Sequence, residues 1–146
     1  MDMVTQVEIQ RPAAEVFAYL ADFENNPAWQ GGMQSCKWTS EGPVGVGSTY
    51  DQVASFLGRP ILTSFEVSAF EEGRSISIVS VVSTFPIQVT RSVEPLAAGA
   101  CRVTANVAGQ PPLVMRLMPG MNWMVKRSVT SDYKKLKALL ESQRVP

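Results

Sequence analysis

The chain has 146 residues, 45% of them apolar and 18% charged, and its 13 basic and 13 acidic side chains cancel to a formal net charge of zero. That is the composition of an ordinary globular chain long enough to bury a core, and it gives no electrostatic reason to expect nucleic acid or a membrane as partner. Histidine is absent, which excludes imidazole-based triads and His-ligated metal. Cys36 and Cys101 are too few and too far apart for a disulfide framework or a CxxC motif, so no metal or cofactor is expected.

Residues 3–10 alternate as a strand, with Thr5, Val7 and Ile9 on one face and Gln6, Glu8 and Gln10 on the other. No basic segment and apolar run precede them, and no stretch approaches the ~18 apolar residues of a membrane span. The expectation is a cytoplasmic protein. Pro12 suits a first helical turn, where its missing N–H costs nothing, and Val16, Phe17 and Leu20 form the apolar side of a short helix over 12–21. The run Asp22-Phe23-Glu24-Asn25-Asn26-Pro27 breaks that helix and holds another turn or two. Trp29 follows, and Gly31-Gly32 releases the chain.

Six strands come next, at 33–39, 48–57, 61–70, 74–82, 85–94 and 101–108, punctuated by glycine and proline turns. Gly58-Arg59-Pro60 reads as a hairpin connection, and Ile61, Thr63, Phe65, Val67 and Ala69 form the more apolar face of the strand after it. Gln110-Pro111-Pro112 ends the strands. The last segment has sustained helical periodicity: Met118, Met121, Val125, Val129, Leu136, Leu139 and Leu140 share one broad face. Pro119-Gly120 places the well-formed helix at 120–141. The result is one domain over 1–146 of the α+β class: a seven-stranded curved antiparallel sheet around a long C-terminal helix, with two short helices after the first strand. A sheet bent around a helix leaves room for a ligand cavity.

The opening Val7-Glu8-Ile9-Gln10-Arg11-Pro12-Ala13-Ala14-Glu15-Val16-Phe17, then Leu20-Ala21-Asp22 and Asn26-Pro27-Ala28-Trp29, resembles that of the polyketide cyclase/dehydrase family of the START-like (SRPBCC) superfamily. Gly45-Val46-Gly47-Ser48, Phe65-Glu66-Val67, Val93-Glu94-Pro95 and the run from Tyr133 to Glu141 extend the likeness over essentially the whole chain. The resemblance implies a helix-grip fold and a deep, mostly apolar pocket between sheet and helix. It carries over no catalytic motif residue by residue, and fold alone does not give activity.

Two ionisable residues interrupt apolar faces. Arg91 breaks the series Phe85, Ile87, Val89, Val93, and Asp132 projects between Met121, Val125, Leu136 and Leu139. Unpaired buried charge is costly. Either the two face each other inside the cavity, directly or through water, or Arg91 reaches the rim with its stem buried while Asp132 caps or is solvated. The candidate ligand-binding set is Arg91, Asp132, Tyr50, Gln52, Phe56, Phe65, Met118, Met121 and Val125, with no catalytic residue. Met115, Met118, Met121 and Met124 suit an adaptable cavity mouth, or plain core filling. Trp29 is expected to pack the short helices onto the sheet. Trp123 falls on the solvent side of the long helix with Arg127 and Lys134, either as a lone exposed aromatic or as the anchor of a homodimer contact.

Three functional readings follow. The first is a protein that binds a small hydrophobic, polyketide- or lipid-like molecule, which a co-purified ligand would favour. The second is a cyclase or dehydratase that positions a polyketide-like chain, which turnover lost on replacing Arg91 would favour. The third is an interaction module using the helix exterior around Trp123, which a filled cavity and a captured protein partner would favour.

Overall fold

The computed structural model describes residues 2–56, 58–82, 86–97, 99–109 and 120–142. Strand β1 (Asp2–Ile9) leads into helix α1 (Ala13–Ala21) and a short 3₁₀ helix (Phe23–Ala28). Strands β2 (Met33–Trp38), β3 (Thr49–Phe56), β4 (Arg59–Glu71), β5 (Ser75–Val82), β6 (Ile87–Pro95) and β7 (Cys101–Gly109) follow, and helix α2 (Met121–Ser142) closes the chain. The seven strands form one antiparallel sheet in the order β1-β7-β6-β5-β4-β3-β2. From β2 to β7 it is a meander of sequential neighbours. β1 adds itself to the far edge beside β7, so α1 and the 3₁₀ helix must carry the chain across one end of the sheet to reach β2.

Local chemistry sets the ends of these elements. Pro12 sits at the N-cap of α1 with φ −59° and ψ 142°, and Val16 N–H donates to its carbonyl at 3.1 Å. The Asp22 carboxylate then accepts from Glu24 N–H and opens the 3₁₀ helix. Between β2 and β3, Gly47 adopts φ 93°, a left-handed conformation that an L side chain would strain. This lets Gly47 N–H donate to the Val67 carbonyl at 2.9 Å while Val67 N–H donates to the Ser48 carbonyl at 2.8 Å.

The structure changes two expectations about β4. Arg59 and Pro60 belong to the strand rather than to the hairpin connection, because Phe56 pairs with Arg59 and Ser55 with Pro60. Proline is tolerated there since the pairing of β4 with β5 ends at Ser64↔Val82, leaving Pro60 without a ladder partner on that side among the described residues. An irregularity between Val67 and Ala69 shifts the register. Thr63, Phe65 and Val67 point into the core as expected, but Ala69 turns outward and Phe70 takes its inward place.

Helix α2 lies along β1. Thr5 and Thr130 hydroxyls meet at 3.5 Å, Lys137 Nζ donates to the Glu8 carbonyl at 2.7 Å, and Gln10 N–H donates to the Glu141 carboxylate at 2.8 Å. The helix therefore runs in the same direction as β1, and its C-terminal half buries Tyr133, Leu136 and Leu140 in the core. Trp29 is buried too, edge-on to Tyr133 at 4.8 Å between centroids. It packs the 3₁₀ segment onto α2, with Arg91 as its neighbour from the sheet, where the sequence suggests the sheet alone as its partner.

Candidate functional site

The inner face of the sheet changes character along the strands. At the end crossed by α1, the inward side chains Tyr50, Phe65, Val67, Ile76, Ile78, Val93, Val103 and Ala105 are all buried. At the other end the inward positions Gln52, Ala54, Ile61, Ser80, Ile87, Val89 and Val107 are only half-buried. The facing positions on α2, Val125 and Val129, are half-buried as well. Antiparallel pairing brings these positions together: Gln52 opposes Thr63, Ala54 opposes Ile61, Phe65 opposes Ser80, and Val89 opposes both Ile78 and Val107. Among the described residues, then, the interior is fully packed at one end and less tightly covered at the other, where Met3 and Thr63 are buried beside half-buried neighbours that are apolar apart from Gln52 and Ser80.

Arg91 sits at the packed base, 3% exposed. Its position on β6 between Ile76 and Ala105 points it inward. Nη1 donates to the Leu20 carbonyl and to Asn26 Oδ1, each at 3.0 Å. The guanidinium lies 4.3 Å from the Phe23 ring centroid and 5.0 Å from that of Trp29. The side chain clamps the joint between α1 and the 3₁₀ helix against the sheet. Asp132, 9% exposed, faces a different neighbour: its Oδ1 accepts from Gly31 N–H at 3.1 Å. The direct Arg91–Asp132 ion pair expected from the pattern is not among the ion pairs of the described residues. Each has found a nearer partner: Arg91 in the α1–3₁₀ joint and Asp132 in the loop before β2. Arg91 does not reach the rim either.

Around Arg91 several buried polar atoms lack a hydrogen-bond partner: Trp29 Nε1, Tyr50 Oη and Arg91 Nε, with Gln30 Oε1 nearby in sequence. Tyr50 stacks on Phe65 at 5.2 Å and tilts against Phe23 at 4.9 Å. Burial pushes its phenol well above the ordinary tyrosine value, against a smaller lowering by Arg91. Burial likewise pushes the Cys36 thiol up to about 11, with the Asn26 hydrogen bond and Arg91 pulling the other way. Neither group ionises near neutrality. Asp132 titrates above the usual aspartate value because burial outweighs its bond from Gly31 and the charge of Lys135.

Of the sequence candidates, Tyr50, Phe65 and Arg91 therefore belong to the packed base, Gln52 and Val125 to the less tightly covered half, and Asp132 to the latch with Gly31. Met118 and the side chains of Phe56 and Met121 lie outside the described residues, as does Met115, and Met124 is exposed. The sequence reading missed Asn26 and Phe23 as partners of Arg91, which lies 65 residues from Asn26 in the chain. It also missed Ser80 and Val107, whose inward positions were legible in strand alternation. A separate groove of about 560 Å³ lies at the α1 end of the fold, near Phe17, Trp38, Val44 and Phe70, with Asp22, Glu24 and Glu72 at its edge.

Residues 1–141 match the family model described as polyketide cyclase/dehydrase and lipid transport. No curated protein matches the chain in sequence. Similar solved structures include TTHA0849 from Thermus thermophilus, with TM-score 0.81 and 16% identity over 99% of this chain and 100% of that one. A START superfamily protein from Mycobacterium smegmatis superposes with TM-score 0.75 at 19% identity, covering 97% and 95%. The Zhui aromatase/cyclase from Streptomyces sp. R1128 superposes with TM-score 0.73 at 15% identity, covering 97% and 93%. At these identities the likeness is one of fold, and it agrees with the helix-grip arrangement.

Proposed function

Because the chain belongs to the polyketide cyclase/dehydrase and lipid transport family, and because half-buried inward side chains gather toward one end of the sheet among the described residues, we propose that it binds a small hydrophobic or aromatic molecule between this half of the sheet and α2. The observation that carries this reading is the row of half-buried, inward-pointing side chains at Gln52, Ile61, Ser80, Ile87, Val89 and Val107, facing Val125 and Val129. Apolar walls supply affinity in proportion to the area they take from water. Gln52 and Ser80 supply the few polar contacts that orient a carbonyl or hydroxyl. Tyr50 and Arg91 lie behind that space with unused polar atoms, so a ligand oxygen reaching them gains bonds that the empty protein lacks.

A cyclase would use the same pocket, with positioning as its main contribution. The base of this interior offers it little proton transfer, since burial holds Tyr50 and Cys36 protonated at neutral pH. Binding is the reading these groups serve best.

Native mass spectrometry of freshly purified protein, combined with titration of an apolar fluorescent probe, tests the proposal. The wild type should carry or take up one apolar molecule. Val89→Trp, which fills that half, should weaken probe binding by at least about tenfold at unchanged secondary structure. Equal binding by wild type and Val89→Trp would place the ligand elsewhere.

A further inference from the structure

Helix α1 has two apolar sides. Val16 and Leu20 turn into the core, whereas Ala14, Ala18 and Ala21, at i, i+4 and i+7, form a stripe of methyl groups beside Phe17. Because these side chains are so small, space remains between α1, the segment from β2 to β3 and the turn from β4 to β5. That space is the groove of about 560 Å³ at the α1 end, the size of a site for a small organic molecule. Its floor is aromatic and apolar. The Phe17 and Phe70 rings meet at 5.8 Å between centroids, with Trp38 and Val44 beside them. None of its lining residues belongs to the half of the interior facing Val125 and Val129.

The charges around this floor have one sign. Asp22 and Glu24 come from the start of the 3₁₀ helix and Glu72 from the turn after β4. Asp22 Oδ1 accepts from Trp38 Nε1 at 3.0 Å and from Glu24 N–H at 3.2 Å, while the Glu24 carboxylate accepts from Trp38 N–H at 3.0 Å. These neutral donors fix two of the carboxylates without cancelling their charge. Among the described residues no lysine or arginine lines the groove, and none of the three carboxylates takes part in an ion pair. The cations nearest in sequence are engaged elsewhere: Arg11 pairs with Glu15, and Arg74 borders a different depression with Glu71 and Glu94. The zero net charge of the chain is an average that hides this local excess.

We propose that the groove beside α1 is a second binding site, for a small organic cation with an apolar body, such as an aromatic amine. The apolar body lies against Phe17, Phe70 and Trp38 and supplies most of the affinity through the area it takes from water. Each rim carboxylate alone contributes modestly, but three of one sign around a low-dielectric floor focus the field on it and select the charge of the ligand. An anion of the same shape is repelled, and a neutral molecule partly desolvates the carboxylates without compensating them. A second copy of the chain is the competing occupant, since α2 carries Trp123 beside Lys126, Arg127 and Lys134. That contact would be head-to-tail and would not close by two-fold symmetry, the commonest form of self-association. The groove shares no lining residue with the proposed interior site, so the proposal does not depend on what the interior holds.

The test is an amide chemical-shift titration of the full chain with tryptamine, indole-3-ethanol and indole-3-acetate, which carry one ring system with a positive, a neutral and a negative side chain. Tryptamine should shift Ala14, Phe17, Ala18, Phe70 and Glu72, and the other two should reach these residues at least about tenfold more weakly. The combined change Asp22→Asn, Glu24→Gln and Glu72→Gln keeps oxygen acceptors for Trp38 and should weaken tryptamine by about tenfold. Ala18→Trp, which fills the groove from α1, should weaken it by at least as much. Both variants should keep the wild-type circular dichroism and the affinity for the apolar fluorescent probe, which separates this site from the interior. Tryptamine shifts centred on Val89 and Val107 instead of the groove would overturn the proposal, as would no shift at all. So would equal binding of the three indoles, or tryptamine binding that ignores both variants. A self-associated species in sedimentation equilibrium that Ala18→Trp dissolves would overturn it in favour of a second copy.

Discussion

Arg91 shows how a buried cation can be accommodated without a carboxylate. Taking a guanidinium out of water costs several kcal/mol, and here two carbonyl-type acceptors and two aromatic faces offset it. Arg91→Met should lower stability by about 2–4 kcal/mol, since it leaves the Leu20 carbonyl and Asn26 amide buried without their donor. Arg91→Lys should not restore the loss, because an ammonium cannot reproduce the planar stack and forked donation. Chemical denaturation reads both. That Arg91 points inward was legible from alternation on its strand. Its partners were not, because pattern reports which face a residue takes but not which distant segment packs against it. Asp132 makes the same point from α2. With no shared contact, a double-mutant cycle between Arg91→Met and Asp132→Asn should give a coupling below about 0.5 kcal/mol. Asp132 also carries a pH signature. Its carboxyl titrates above the unfolded value through burial, so ionisation is less favourable folded than unfolded. The stability it withholds at neutral pH returns as pH falls through the folded value towards the ordinary one near ~3.9. Asp132→Asn, which still offers an oxygen to Gly31 N–H, should abolish that slope in denaturation curves taken from pH 7 to acid.

Among the elements, α2 is divided. Its C-terminal half is tied to β1 by Lys137 and Glu141 and buries Leu136 and Leu140, whereas Val125 and Val129 in the N-terminal half are only half-buried. Amide hydrogen exchange should therefore show residues 132–140 protected near the global limit and 121–128 exchanging faster, with an apolar ligand raising protection in the latter. Uniform protection along the helix would contradict this division. The periodicity of α2 gave its length and its inward face within a residue at each end, because a stripe that wide has one solution against a sheet. It could not reveal the division, which arises from where the sheet stops packing rather than from the helix sequence. The short 3₁₀ helix depends on its own anchor. Trp29→Ala should cost about 3–5 kcal/mol, the usual penalty for emptying a large aromatic site, because Trp29 seats the segment against Tyr133 and Arg91. The outward turn of Ala69 was invisible for a different reason: a bulge inserts a residue without any mark in a run of alternating side chains.

For the whole molecule, the strand count, the antiparallel class and the closing helix could all be read from turn residues and periodicity, since each element agreed with its neighbours. The site was less legible. Tyr50, Phe65 and Arg91 were among the cavity candidates but lie in the packed base, and the other half is defined by plain residues such as Val89, Val107 and Ser80. Nothing in their chemistry marks them. Only the paired register puts them at one end. The proposal puts the ligand at that end rather than in the groove beside α1 near Phe17 and Phe70, and an amide chemical-shift titration with a small apolar aromatic probe distinguishes the two directly. The perturbations should concentrate at Gln52, Ile61, Ser80, Ile87, Val89, Val107, Val125 and Val129. Perturbations centred on Ala14, Phe17, Phe70 and Glu72 would contradict binding in the interior.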